Sequence, residues 1–485
     1  MEGRTRPDAE GALLPGSHRG LFMSQVLSSS AADALRNSIQ GEVITPEDAA
    51  YDDARKVWNG TVDRRPAVIA RCLSDQDVVA AIAFARKHDL PIAVRGGGHS
   101  LPGYSVCDGG LVIDLSALRK VQVDPATQRA KAQGGALWSD FDAATHAHGL
   151  ATPGGAISHT GIGGLTLGGG MGWLSRRHGL TCDNLLGASV VTADGRVLRA
   201  SADENPDLYW GLRGGGGNFG VVTEFEYALH PIALVNLSLT MFAQDDGRSV
   251  LEAFATWSPD APESTGAILL FMNAPPAPFV PEQLHFAPVW ALAAVSSAPT
   301  PDEAAAASEP VRQAATPVFE MATPMPYPAV QSMLDEGAPL GSLIYQKAEW
   351  VPELSAGAID ALVASAAAKP SPMAQIHVWN LGGAVARVAD DATPFGNRGT
   401  QHMVDIQGLW PEPGLEEATR AWTRTTFDAL TPFGSGAYVN FISEDDPERT
   451  KRDVYGEARY RRLSELKRQY DPANVFRLNQ NIEPA

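Results

Sequence analysis

Three cysteines in 485 residues, Cys72, Cys107 and Cys182, are too few to staple a fold. An odd count gives no disulfide framework, and no C-x-x-C pair or Cys/His spacing matches a zinc site. Long apolar runs are also missing, and none approaches the roughly 18 residues of a membrane span. Residues 1–30 mix charges, Gly and Pro and lack the apolar centre of a signal peptide. They read as a flexible leader, with the cytoplasm as the expected location. Basic side chains are scarce, 38 against 56 acidic ones, for a formal net charge of −18. That balance repels nucleic-acid phosphate and anionic lipid, so neither is an expected partner. With 44 % hydrophobic and 19 % charged residues, the chain has the composition of a folded core rather than of disorder.

Glycine, by contrast, is abundant and clustered, at 95–98, 161–172 and 214–220. The first cluster ends a β-α-β pattern. PAVIARC (66–72) reads as a strand, Ser74 with Asp77 as a helix-capping box, Val78, Ile82 and Ala85 as one helical face, and Ile92–Val94 as the next strand. LVIDL (111–115) and Thr127–Gln133 read as strands, 137–149 as a helix, and Asp194-Gly195 as a hairpin turn. After Pro231 glycine loops become rare. The β-like runs 237–242, 267–272, 342–351, 374–379 and 403–410 alternate with Ala-rich helical segments near 301–315 and 356–368. This order predicts an α+β fold in which a middle region is built on an antiparallel sheet.

Glycine lets backbone approach a ligand closely, and runs of exposed N–H groups form anion-binding nests. Three such clusters suit the pyrophosphate of a dinucleotide. No cluster leads into Lys-Ser or Lys-Thr, which excludes a Walker A loop, and the match at 161–170 to a Rossmann fingerprint is loose and deep in the chain.

The motifs RGGGHS (95–100), GIGGLTLGGGMGWLSRRHGLTCDN (161–184) and GGGGNFGVVTEF (214–225) closely resemble the FAD-binding domain of the vanillyl-alcohol-oxidase/PCMH flavoproteins. AYVNF (437–441), YG (455–456) and the run 459–482 resemble the berberine-bridge-enzyme C-terminal segment. The resemblance runs in order from about residue 45 to 482. It implies an FAD-binding part over 31–231, a substrate-covering cap over 232–431, and a segment over 432–485 that returns to the flavin.

It also implies roles. The flavin would be held by Arg95, Gly96, Gly97, Gly98, His99, Ser100 and Gly103, then by Gly155, Thr160, Gly161, Gly164, Leu165 and Gly170. Gly220 and Val222 of the third cluster, and Asn479 and Asn481 of the tail, would complete the contact. Thr160 and Leu165 would border the ring and influence oxygen access. His99 would bond covalently to the flavin 8α carbon, because an imidazole nitrogen is a competent nucleophile and the resulting link raises the flavin potential. Many relatives add a cysteine link just upstream of the glycine run. Ile157 occupies that place here, so a single bond is expected, which argues against an oligosaccharide substrate.

For catalysis the resemblance points to a cap strand. Alternation in MVDIQGLW puts Met403, Asp405 and Gln407 on one face, with Asp405 as the expected base and Gln407 beside it. Tyr438 and Asn440 read as alternating strand positions near the substrate, with Tyr438 expected to pair with the acid. His377, on another cap run, is a candidate substrate contact. The expected partners are a small organic substrate, be it a secondary metabolite, an alcohol or amine, or a small sugar, tilted by Trp350, Trp379 and Trp410 toward a hydrophobic or aromatic metabolite, and molecular oxygen, reduced to hydrogen peroxide. The alternatives are a dehydrogenase or monooxygenase on the same scaffold, or a flavin-binding protein without turnover.

Overall fold

The computed structural model describes residues 27–442 and 450–485. Most of the expected leader lies outside them. Its end does not, and it is ordered: Ser28 caps a helix that begins at Ser29, the serine oxygen accepting from the Ala31 amide.

Two small sheets form the first part. In one, β1 (Glu42–Ile44), β2 (Val68–Arg71), β3 (Ile92–Arg95) and β4 (Leu111–Asp114) lie in the order β1-β2-β4-β3, the last three parallel. The crossover between β2 and β3 is the helix Asp75–Lys87, started where Ser74 Oγ accepts from the Asp77 amide. Asp77 does not close the expected capping box on Ser74. Its carboxylate accepts from the amides of Gln40, Gly41 and Leu73, which ties the N-terminal segment to the helix. The second sheet has β5 (Val121–Asp124), β6 (Arg129–Gln133), β8 (Leu185–Val191), β9 (Val197–Ser201) and β10 (Val221–Ala228) in the order β5-β6-β10-β8-β9. A short ribbon pairs β7 (Leu150–Ala151) with β11 (His230–Pro231).

The middle region is a seven-stranded antiparallel sheet. β12 (Leu234–Ala243), β13 (Thr265–Asn273), β14 (Pro288–Ser296), β15 (Phe319–Pro326), β16 (Leu343–Val351), β17 (Gln375–Asn380) and β18 (His402–Trp410) take the order β15-β12-β14-β13-β17-β18-β16. Helices Gly247–Trp257, Ala356–Ala367 and Glu416–Leu430 cover its back, over a core that includes Phe254, Leu269, Trp290, Leu362 and Trp422. Its front faces the glycine clusters. Strands β14 and β15 were not visible in the sequence. β14 is Ala-rich, and β15 carries Pro324 and Pro326 beyond its first residue, which suits an edge strand, where β15 sits.

The C-terminal helix Gly456–Tyr470 sends the chain back to the third glycine cluster. Lys467, fully buried with Asp471, donates to the carbonyls of Asn218 and Phe476. The Asn218 side chain in turn donates to the Gln480 carbonyl and accepts from the Ile482 amide. Among the described residues no helix is long and apolar enough to cross a membrane.

Candidate active site

A cavity of about 1030 Å³ separates the glycine clusters from the front of the cap sheet. All three clusters and the tail reach it: Gly96, Gly97 and Gly98, then Gly161 and Gly164, then Gly220 and Val222, and finally Asn479. Gly155, Ile157, Thr160 and Leu165 line it beside the second cluster.

The first two clusters touch. A Cβ on Gly97 would sit 2.3 Å from the Gly161 amide nitrogen, and one on Gly161 2.4 Å from that of Gly97. Neither backbone can yield without dragging its loop. Gly161→Ala is therefore expected to cost about 1–3 kcal/mol by overpacking and to lower flavin content per protein, measured by visible absorbance of the purified variant.

The cavity suits a dinucleotide. Gly164 and Gly217 border it with no atom within 4 Å of where a side chain would begin, so bare backbone faces the space. The amides of Gly97, Gly98, His99 and Ser100 make no backbone hydrogen bond. With no Lys or Arg along the lining among the described residues, these N–H groups are donors offered to a pyrophosphate.

His99 lies at the cavity edge. Its ring stacks on Trp58 with centroids 4.8 Å apart, and its Nε2 is 2.7 Å from His159 Nδ1. Burial, with His159 adding to it, pushes the His99 imidazole down to about 3, so the ring is neutral.

Across the cavity, β18 runs between β17 and β16, so three residues from three strands form each row. One row is Gln375, Gln407 and Gln346, and the next is His377, Asp405 and Ala348. Asp405 is fully buried. Gln346 Nε2 donates to its Oδ1 at 2.6 Å and Gln407 Nε2 to its Oδ2 at 2.7 Å. Burial pushes the carboxyl up to about 7 against these two donors. His377 Nε2 lies 2.7 Å from Gln375 Oε1, which fixes the proton on Nε2 and leaves Nδ1 to accept from Gln407 at 3.3 Å. Burial lowers this imidazole to about 4, so it is neutral too.

Tyr438 and Asn440 also line the cavity, but not from a strand. Residues Val439–Phe441 form a 3-10 turn, and Asn440 Nδ2 donates to the Tyr438 hydroxyl at 2.9 Å and to the Leu165 carbonyl at 3.2 Å. The Gly170 amide donates to the same hydroxyl at 3.0 Å. With both donors pointing in, the phenol's own hydrogen is its remaining means of contact with a ligand. Burial raises the Tyr438 phenol, the wrong direction for a base. The expected pairing of Tyr438 with Asp405 is absent; each has its own partners.

Four residues expected at the flavin do not line the cavity. Arg95 points away into a buried ion pair with Asp114, Nη2 to Oδ2 at 2.8 Å. Gly103 turns with positive φ against Val62. Gly170 serves Tyr438, and Asn481 is set back in the tail. Cys182 is buried away from the cavity, its thiol pushed up by burial. Conversely, Trp58, His159, Gln346 and Gln375 escaped sequence reading. Gln375 was discoverable by alternation, since it is two residues from His377, whereas Gln346 faces Gln407 only through cross-strand register. Trp58 and His159 carry no motif.

The chain matches two family models, the FAD binding domain over residues 66–201 and berberine and berberine like over 437–483. It is 33 % identical to (R)-6-hydroxynicotine oxidase of Paenarthrobacter nicotinovorans, over 94 % of this chain and 99 % of that protein. An FAD-linked oxidoreductase of Dictyostelium discoideum is 30 % identical over 92 % of this chain and 95 % of its own. The crystal structure of 6-hydroxy-D-nicotine oxidase from Arthrobacter nicotinovorans superposes with a TM-score of 0.81 at 29 % identity, covering 92 % of this chain and 99 % of that one. The chain belongs to the berberine-bridge-enzyme-like FAD-linked oxidoreductases.

Proposed function

We propose that this enzyme is an oxidase for a small apolar alcohol or amine, with FAD tethered by a single bond to His99 and with molecular oxygen as electron acceptor. One observation carries the reading: a fully buried carboxylate, fed by two amide donors, faces a cavity lined by Leu239, Met241, Leu270, Met272 and Phe279 and, among the described residues, by no Lys or Arg. An acidic sugar or phosphorylated substrate would find no counter-charge there. A neutral or cationic apolar molecule finds one proton acceptor.

When bound, FAD supplies the hydride acceptor. The chain does the rest. Asp405 accepts the proton from the substrate hydroxyl or ammonium group. Gln346 and Gln407 hold its two oxygens in place, and neutral His377 holds Gln407. The Tyr438 hydroxyl, fixed by Gly170 and Asn440, donates to a polar atom of the ligand. The apolar cap keeps water from competing for these groups.

The test mixes the purified protein anaerobically with a panel of apolar alcohols, amines and sugars and then readmits air. The expected result is flavin bleaching by an apolar alcohol or amine, with peroxide stoichiometric to substrate. Bleaching by sugars alone would contradict the substrate class, and bleaching without peroxide would contradict the acceptor.

A further inference from the structure

We propose that His159 is the residue that makes the His99 tether form, by holding and then taking the Nε2 proton of His99 so that the bond is made through Nδ1. The inference rests on the tether itself, proposed above.

The geometry is specific. His99 Nε2 and His159 Nδ1 are 2.7 Å apart, a distance at which one nitrogen donates and the other accepts. Trp58 stacks almost parallel on the His99 ring, at an interplanar angle of 14°, and so fixes its plane. His159 is fixed through its loop. The Ser158 amide and hydroxyl both donate to Asp335, at 2.8 and 2.5 Å, and the Ser158 carbonyl accepts from the Ser139 amide. Trp58 is anchored to the same cap segment, its indole N–H donating to the Ala338 carbonyl at 2.8 Å. The pair is thus clamped between the first part of the fold and residues 335–338. His159 Nε2 is buried and has no hydrogen-bond partner among the described residues. Nothing in the Asp405 network uses either ring.

The chemistry requires such a neighbour. With Nε2 facing His159, Nδ1 is the His99 nitrogen left to meet the flavin. Forming a bond from its lone pair to the 8α carbon removes one hydrogen from that methyl group and makes the imidazole cationic. The ring becomes neutral again only by losing its Nε2 proton. Burial opposes the charged ring, as the depressed His99 value indicates, so a proton acceptor at hydrogen-bond distance lowers the cost of the step. The balance is one C–H and one N–H bond lost and one C–N bond gained. The two electrons left on the flavin pass to molecular oxygen, which with two protons becomes hydrogen peroxide.

The test uses the purified flavoprotein, acid precipitation to separate tethered from free flavin, and peptide mass spectrometry. The nitrogen bearing the flavin is read by NMR of the isolated histidyl-flavin peptide. Wild type should carry flavin on His99 Nδ1. His159→Ala should bind FAD but release most of it on precipitation, and added imidazole should convert the loose flavin to tethered flavin. Without imidazole, the rate of tethering in that variant should fall by on the order of 10²-fold, the usual loss on removing a proton acceptor. His159→Gln keeps a hydrogen-bond acceptor but cannot carry the proton, so it too should hold FAD untethered, and it decides the matter if the alanine variant fails to fold. Full tethering in either variant, or a wild-type bond through Nε2, overturns the proposal. Wild-type protein with no adduct at all would instead overturn the tether reading beneath it.

Discussion

Asp405→Asn is expected to retain bound flavin and to slow its anaerobic reduction by substrate by on the order of 10²–10⁴, the usual loss on removing a general base. The substitution keeps the shape of the side chain. It replaces one acceptor oxygen by an N–H₂ group that must face either Gln346 Nε2 or Gln407 Nε2, both donors. One hydrogen bond therefore becomes a donor–donor clash. Stopped-flow bleaching isolates this step from reoxidation by oxygen. In wild type the reduction rate should rise with pH through about 7, where Asp405 loses its proton, and level off above it. In the variant this rise should disappear. Tyr438→Phe should slow the same step less, because the phenol orients a ligand rather than taking its proton. The two side chains share no hydrogen bond, so the double variant should show roughly additive losses in activation free energy. A double variant no slower than Asp405→Asn alone would show that they act as one unit.

The second large effect is expected at Arg95. This side chain was read as a flavin contact, yet it supports the loop that carries His99 from behind. Its guanidinium reaches Asp114 at the end of the adjacent parallel strand β4 and donates to the Ala54 carbonyl at 2.6 Å, and the next residues are the glycines leading to His99. Arg95→Ala leaves a carboxylate that is almost wholly buried with the partly exposed Arg71, at 3.2 Å, as its remaining cationic partner among the described residues, beside the Ser116 amide. Breaking a buried pair from one side costs about 3–5 kcal/mol. Chemical denaturation should show a loss of that order, with reduced flavin content. The pair also sets a pH dependence. Burial acts to raise the Asp114 value, but Arg95 and the Ser116 hydrogen bonds outweigh it and leave it below that of a free aspartate. A depressed value means that the contribution is complete above the unfolded-state value near 4 and is lost as pH falls through the lower folded-state value. Acid sensitivity in this range should therefore shrink in Arg95→Ala.

Local patterns explain what could be read from the chain before its structure. The hairpin at Asp194-Gly195 and the alternation in residues 403–410 are decided by neighbours close in sequence and form as expected, and Ser74 caps its helix although Asp77 does not complete the box. The glycine clusters were legible because backbone that approaches a ligand excludes side chains. The contact of Gly97 with Gly161 shows a further constraint that only the fold reveals, since the two loops are far apart in the chain. Asp405 was found through its strand, but its orientation by Gln346 and Gln407 depends on cross-strand register, which one strand does not carry. The alternation at 438–441 misled because two-residue periodicity over so short a run does not separate a strand from a 3-10 turn. Arg95 does not reach the cavity because belonging to a motif does not set the direction of a side chain. Its guanidinium follows the buried charge of Asp114.

On the proposed reading one cavity holds a flavin fixed at His99, with the proton acceptor Asp405 on the opposite wall. Its most direct test is acid precipitation of the purified protein followed by peptide mass spectrometry. The yellow colour should stay with the precipitate, and one flavin adduct should be found, on the peptide containing His99 and on no peptide containing Cys72, Cys107 or Cys182. Colour that passes wholly into the supernatant, or an adduct on any residue other than His99, would contradict that reading.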